Sequence, residues 1–124
     1  MSLKSDFSKI FRESFKVPAA WSEWFLNDVY RDEDLVSLKV DDRPVSVLLM
    51  SPYTMAFHGI ELPASYFSCV ATARAERGKG YMSRLMIDAI RAAEARGDAF
   101  ATLIPETRRL YFFYDRFGFS TVFY

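Results

Sequence analysis

The order of apolar patterns along the chain predicts a mixed α/β (α+β) domain, a central mixed sheet flanked by helices. Three observations carry this. The N-terminal residues show apolar positions at helical offsets. The following stretch alternates strand-like runs with tight-turn residues. A strand, a glycine turn, a long amphipathic helix and a further strand then come in succession, the order of a parallel crossover. With 124 residues, one domain spanning 1–124 is expected.

The elements justify themselves in turn. Leu3, Phe7, Ile10, Phe11 and Phe15 make one helical stripe over residues 3–16, with Ser5 or Asp6 as candidate caps. Pro18 fits the first turn of a second helix, whose apolar face would be Trp21, Trp24, Phe25 and Val29. Asp32-Glu33-Asp34 reads as a solvated turn. Leu35 to Val40 reads as a strand, Asp41-Asp42-Arg43-Pro44 as a hairpin turn, and the almost continuously apolar Val45 to Met50 as a strand buried on both faces. A second hairpin is expected around His58-Gly59, and a strand over Tyr66 to Ala73. From Lys79 to Arg96, Met82, Leu85, Met86, Ala89, Ile90 and Ala93 recur at offsets of three and four, and Gly97 supplies a left-handed stop. A short strand over Ala99 to Ile104, a helix over Arg108 to Arg116 and the start of a last strand at Phe119 complete the order.

Composition excludes several classes. Sixteen basic residues balance sixteen acidic ones, which is no footprint of a nucleic-acid binder. No apolar run approaches the roughly 18–20 residues that span a bilayer, and no signal peptide is evident, so no membrane partner and a cytoplasmic location are expected. The single Cys69 cannot form an intramolecular disulfide, and no His is placed in sequence to activate it; it reads as a buried strand residue. The one His58 lies in a turn, so no metal site is expected.

The chemistry concentrates in Val70-Ala71-Thr72-Ala73-Arg74-Ala75-Glu76-Arg77-Gly78-Lys79-Gly80-Tyr81-Met82. A strand entering a helix through a basic glycine turn builds an anion site: the first helical N–H groups point outward, the helix dipole adds positive charge, and Gly78 and Gly80 let a phosphate approach. Arg77 and Lys79 add charge, and a pyrophosphate is the ligand this suggests. The plainer reading is a tight turn with solvated charges. The turn is no Walker A loop, since Tyr81 follows Gly80, and no Rossmann fingerprint, since the Gly-x-x-Gly half is absent.

Arg77-Gly78-Lys79-Gly80-Tyr81-Met82 resembles the Arg/Gln-x-x-Gly-x-Gly/Ala motif of the GCN5-related N-acetyltransferases, the GNAT superfamily, with Met82 replacing the small last residue. Phe113-Tyr114-Asp115-Arg116-Phe117-Gly118-Phe119 resembles that superfamily's Phe-Tyr-x-x-x-Gly-Phe signature. The Val-Ala-Thr strand, its interval to the turn and the bulky last motif position are most similar to the branch of the enhanced intracellular survival protein.

The resemblance implies a GNAT fold and transfer of an acetyl group from acetyl-CoA to a primary amine by direct attack in a ternary complex. It implies that the Val70 N–H binds the acetyl oxygen, that Ala71 and Thr72 bind the pantetheine amides, and that Arg77, Gly78, Lys79, Gly80, Tyr81 and Met82 hold the pyrophosphate. Tyr114 becomes the acid that protonates the departing thiolate. The rival for Tyr114 is an aromatic packing role; the rival for the whole chain is an acyl-CoA-binding or regulatory module, or a structural fragment of a larger acetyltransferase. A general base is not evident; Glu61 and Glu106 are the nearby carboxylates, each with a surface charge as the plainer reading. The implied partners are a small-molecule or peptide amine, leaning toward lysine-type or polyamine-like amines. The fold it implies has one strand more after Phe119–Tyr124, so the chain reads as an incomplete N-terminal region or as a minimal domain completed by a second subunit or a further C-terminal domain.

Overall fold

A computed structural model of the chain describes residues 3–104 and 108–119. Helix α1 (Leu3–Ser14) is followed by α2 (Ala19–Trp24), which runs into a wide π turn over Phe25–Val29. Strands β1 (Leu35–Val40), β2 (Arg43–Phe57) and β3 (Ile60–Thr72) form an antiparallel meander. Helix α3 (Tyr81–Ala95) crosses to β4 (Phe100–Thr102), which pairs parallel to β3, and α4 (Arg108–Asp115) follows. The sheet order is β1-β2-β3-β4, mixed as expected.

Helices cover both faces of the sheet. From Val47 onward β2 alternates: Val47 and Leu49 face α1 and the π turn, while Leu48 and Met50 face α3. On one side Phe7, Ile10, Phe11, Phe25, Leu26 and Tyr30 close against Val47, Leu49 and Ala71. The Phe7 ring lies 4.9 Å from Tyr30 and 5.5 Å from Phe11. On the other side Leu85, Met86, Ala89 and Ala93, the apolar stripe of α3, close against Leu38, Leu48, Met50, Phe67 and Tyr114.

The hairpins fall where the turn residues place them. Asp41 and Asp42 both take positive φ (52° and 62°), as does His58 (51°) before Gly59. Such pairs of left-handed residues match the twist of a two-residue hairpin. The strands around His58-Gly59 are longer than the apolar runs suggest. Polar and proline-containing flanks are drawn into the ladder because each arm pairs the other, from Ser51↔Tyr66 to Phe57↔Ile60. The expected strand over Tyr66–Ala73 is thus the distal half of β3. The last predicted strand, Phe119 to Tyr124, lies outside the described residues beyond Phe119.

Three expectations are corrected. Trp21 and Trp24 do not complete the core; they are 40% and 51% exposed because Ser22, Phe25 and Leu26 take the buried face, and Val29 is exposed too. Asp34 is buried rather than solvated, at the entry to β1. Cys69 is only partly buried and sits at a bulge with φ 55°.

That bulge is a main irregularity of the sheet. The register runs Ser46↔Thr72 and Val47↔Ala71, then resumes at Leu49↔Ser68. Leu48 therefore faces two residues, Cys69 and Val70. The extra residue reverses the phase of β3, so that Phe67 packs toward α3 while Ala71 packs toward α1.

The crossover is pinned by a polar cluster at the end of α3. Arg96 donates to the Met50 carbonyl (3.2 Å), to Ser65 Oγ (2.6 Å) and to Asp98 Oδ2 (3.0 Å), and Ser65 also donates to Asp98. Ser65 lies where β3 pairs with β4, opposite Ala101.

Candidate active site

The site forms where β3 and β4 part. Their parallel pairing covers Ala64↔Phe100, Ser65↔Ala101 and Tyr66↔Thr102. β3 continues past it through the bulge to Thr72, while the chain beyond β4 turns away through Leu103 and Ile104. A cleft of about 260 Å³ opens between them. Its floor is Tyr66 to Val70 of β3, its far wall Leu103, Ile104, Leu110 and Tyr114, and its near wall Phe11, Phe15, Val17 and Trp21. The bulge, at Cys69 and Val70 opposite Leu48, lies at the floor of this cleft.

Tyr114 is 5% exposed and reaches the cleft from the last turn of α4. Its ring packs edge-on to Phe113 (5.3 Å) and Phe119 (6.2 Å), so its orientation is fixed by aromatic neighbours. The packing and the catalytic readings of this tyrosine are therefore compatible. Tyr66 is a second phenol on the cleft, which the sequence reading passed over as an ordinary strand aromatic. Burial holds its pKa above the usual phenol value, and its ring lies tilted against Tyr53 at 5.8 Å. A phenol in water is protonated at neutral pH, the state from which it can donate.

Beyond the cleft β3 feeds the glycine turn. Thr72 is buried, its hydroxyl 2.7 Å from that of Ser46. After a short 3-10 turn at Arg74–Glu76, Gly78 and Gly80 take φ of 82° and 80°, and α3 starts at Tyr81. Gly80 offers no capping side chain and the first turn of α3 holds no acid, so the leading N–H groups of the helix face outward uncompensated. A Cβ at either glycine would meet nothing within 4 Å. The turn thus leaves open space before the first turn of α3.

The basic residues of the turn are engaged. Arg77 donates through Nε to the Thr72 carbonyl (3.1 Å) and through Nη2 to Ser14 Oγ (3.1 Å), tying the turn to α1. The Arg74 amide donates to Glu13 of α1 (2.8 Å). Lys79 pairs with Glu76 (2.9 Å), and Glu76 also meets Arg43 (3.3 Å) at the start of β2. The Lys79 hydrogen bond and the two positive charges hold the Glu76 carboxyl below its usual range, and Glu76 holds Lys79 above its own. Sequence reasoning missed Glu76 and Arg43. The i,i+3 spacing of Glu76 and Lys79 carried a signal for the first; nothing local marks the second.

Of the two candidate bases, Glu61 is exposed on the outer part of the hairpin, opposite Ala56, and does not line the cleft. Glu106 lies outside the described residues. Among the described residues no three potential metal ligands converge, and no helix is long and apolar enough to cross a membrane.

A parallel pair thus parts over a bulged strand that leads into a left-handed glycine and a helix N-terminus. The family model described as "Acetyltransferase (GNAT) domain" matches residues 2–122. The chain belongs to the GNAT acetyltransferase family. Domains of this family use acetyl-CoA as co-substrate. Solved structures share the fold of this GNAT domain. A transcriptional regulator from Bacillus halodurans C-125 aligns with TM-score 0.76 at 19% identity, over 99% of this chain and 92% of its own. Glucosamine-6-phosphate N-acetyltransferase from Arabidopsis thaliana aligns with TM-score 0.74 at 14% identity, over 99% and 90%. A GCN5-related N-acetyltransferase from Kribbella flavida aligns with TM-score 0.75 at 21% identity, over 88% of this chain but 29% of its own length. No curated protein matches the chain.

Proposed function

We propose that this GNAT domain is an N-acetyltransferase that moves the acetyl group of acetyl-CoA to a primary amine by direct attack in a ternary complex. The observation that carries the reading is the parting of β3 from β4 at Tyr66 and Thr102, which opens the edge of β3 into the same cleft that Tyr114 lines. Pantetheine lies along that edge, its amides bonded to Ala71 and Thr72. The Val70 N–H at the bulge receives the oxyanion as the amine adds to the thioester carbonyl. The pyrophosphate sits before α3 on the N–H groups from Gly78 to Met82, and Lys79 contributes charge. Arg77 acts chiefly by fixing the turn to α1 and the end of β3. As the carbon–sulfur bond breaks, the phenol of Tyr114 gives its proton to the thiolate.

The test is thiol release from acetyl-CoA in the presence of amine, comparing Tyr114→Phe with Tyr66→Phe. Tyr114→Phe is expected to lower kcat by about 10²-fold or more, the usual range for a general acid, with acetyl-CoA affinity retained. If Tyr66→Phe carries that loss instead, the roles of the two phenols are exchanged. If neither does, proton donation from a cleft phenol is not part of the reaction. The likeness of the motif turn to the enhanced intracellular survival branch supports a place for this domain in a longer acetyltransferase, which limited proteolysis and mass measurement of the native protein would test.

A further inference from the structure

Resting on the reading of the site as an acetyl-transfer cleft, we infer that the acceptor is a primary amine borne on an apolar, aromatic body, an arylalkylamine, and not a polyamine or aminosugar. Among the described residues that line the cleft none is charged; its polar groups are Tyr66, Ser68, Cys69 and Tyr114. A polycation needs carboxylates to replace its water, because an uncompensated charge is costly to bury. Here the near wall offers rings instead. Trp21 stacks on Phe25 at 5.2 Å (14° between planes) and on Phe11 at 6.1 Å (7°), so three parallel rings form one rigid slab. Trp21 remains 40% exposed and lines the cleft, presenting a flat surface for a further ring. The adjoining depression between α1 and α2, which shares Phe15 and Val17 with the cleft, carries Arg12 and Lys16 against the single Glu23. A second ammonium group on the acceptor would meet net positive charge there.

The same apolar wall bears on the proton. An arylalkylammonium ion entering the cleft is driven toward its neutral form by desolvation, so its proton is lost to water before attack. The amine nitrogen then forms the C–N bond, the excess N–H proton leaves to water, the C–S bond breaks and Tyr114 protonates the sulfur, regaining its own proton from solvent.

The experiment measures acetyl-CoA binding by calorimetry and, on the same protein, thiol release with 2-phenylethylamine and with spermidine. The expected result is kcat/KM for 2-phenylethylamine at least about tenfold above that for spermidine. Trp21→Ala should lose about tenfold in that ratio through KM, the scale of one aromatic contact. Trp21→Phe, which keeps a ring, should restore most of it. Equal or faster turnover of spermidine overturns the inference. So does indifference to Trp21→Ala, or no turnover of 2-phenylethylamine by protein that binds acetyl-CoA. Failure of folded protein to bind acetyl-CoA overturns the underlying reading and the inference with it.

Discussion

Replacing Gly80 with alanine separates the geometry of the glycine turn from its function, because Gly97 provides a matched control. Gly80 precedes α3 at φ 80° and Gly97 follows it at φ 88°. Neither position has an atom within 4 Å of a built Cβ, so neither substitution makes a clash. Both pay the left-handed penalty of an L-residue, about 1–2 kcal/mol, offset by about 0.4–1 kcal/mol from the stiffer unfolded chain. Each variant should therefore lose about 1 kcal/mol of stability in urea unfolding. Their binding should differ. At Gly80 the methyl group intrudes on the space where a pyrophosphate approaches the α3 N–H groups. At Gly97 it sits at the other end of a 15-residue helix, about 22 Å away. Calorimetric titration with acetyl-CoA should show at least tenfold weaker binding for Gly80→Ala and no change for Gly97→Ala. Equal affinity in the two variants, with equal stability losses, would refute the assignment of the turn as the pyrophosphate cradle.

Other outcomes follow from the same geometry. Glu76→Gln releases Arg43 and Lys79 from their shared carboxylate, so acetyl-CoA should bind a few-fold more tightly at low salt, with a steeper salt dependence, read by titration at two ionic strengths. Because the Glu76 carboxyl is held below its usual range, its stabilising contribution is present above the unfolded pKa and lost as pH falls through the folded one. Asp34 has the opposite sign: burial, only partly offset by Arg31 and Arg96, raises its pKa, so its contribution favours the fold at low pH and declines as pH rises above the ordinary carboxylate range. Asp34→Asn should accordingly raise the melting temperature at pH 7, with the gain vanishing at pH 4. Phe7→Ala, at a site with no exposure among stacked rings, should cost about 3–5 kcal/mol in urea unfolding.

Much of this architecture was legible in the residues, for physical reasons that can be named. The α3 stripe, the Asp41-Asp42 and His58-Gly59 turns and the left-handed Gly80 are local properties, set by periodicity and backbone freedom. The bulge at Cys69 was not legible: a strand of small and apolar residues such as Ser68-Cys69-Val70-Ala71 reads the same in either phase, and only the partner Leu48 shows where the phase reverses. The exposure of Trp21 and Trp24 likewise follows from a buried face made by the small polar Ser22 with Phe25 and Leu26, which apolar periodicity does not mark. In the site, Gly78 and Gly80 take left-handed φ before α3 and Tyr114 lines the cleft. The partners of the charges do not follow from sequence. Arg77 is drawn back to Thr72 and Ser14, and Lys79 to Glu76, because oxygen acceptors from α1, β3 and the 3-10 turn lie within reach only once the sheet has formed.

The central claim, that the strand edge and glycine turn together bind acetyl-CoA for transfer, is tested most directly by titrating the purified chain with acetyl-CoA in a calorimeter beside a doubly substituted Arg77→Ala, Lys79→Ala chain. The account predicts one site per chain with micromolar affinity, weakened at least tenfold in the substituted chain. A folded chain that takes up no acetyl-CoA would contradict it.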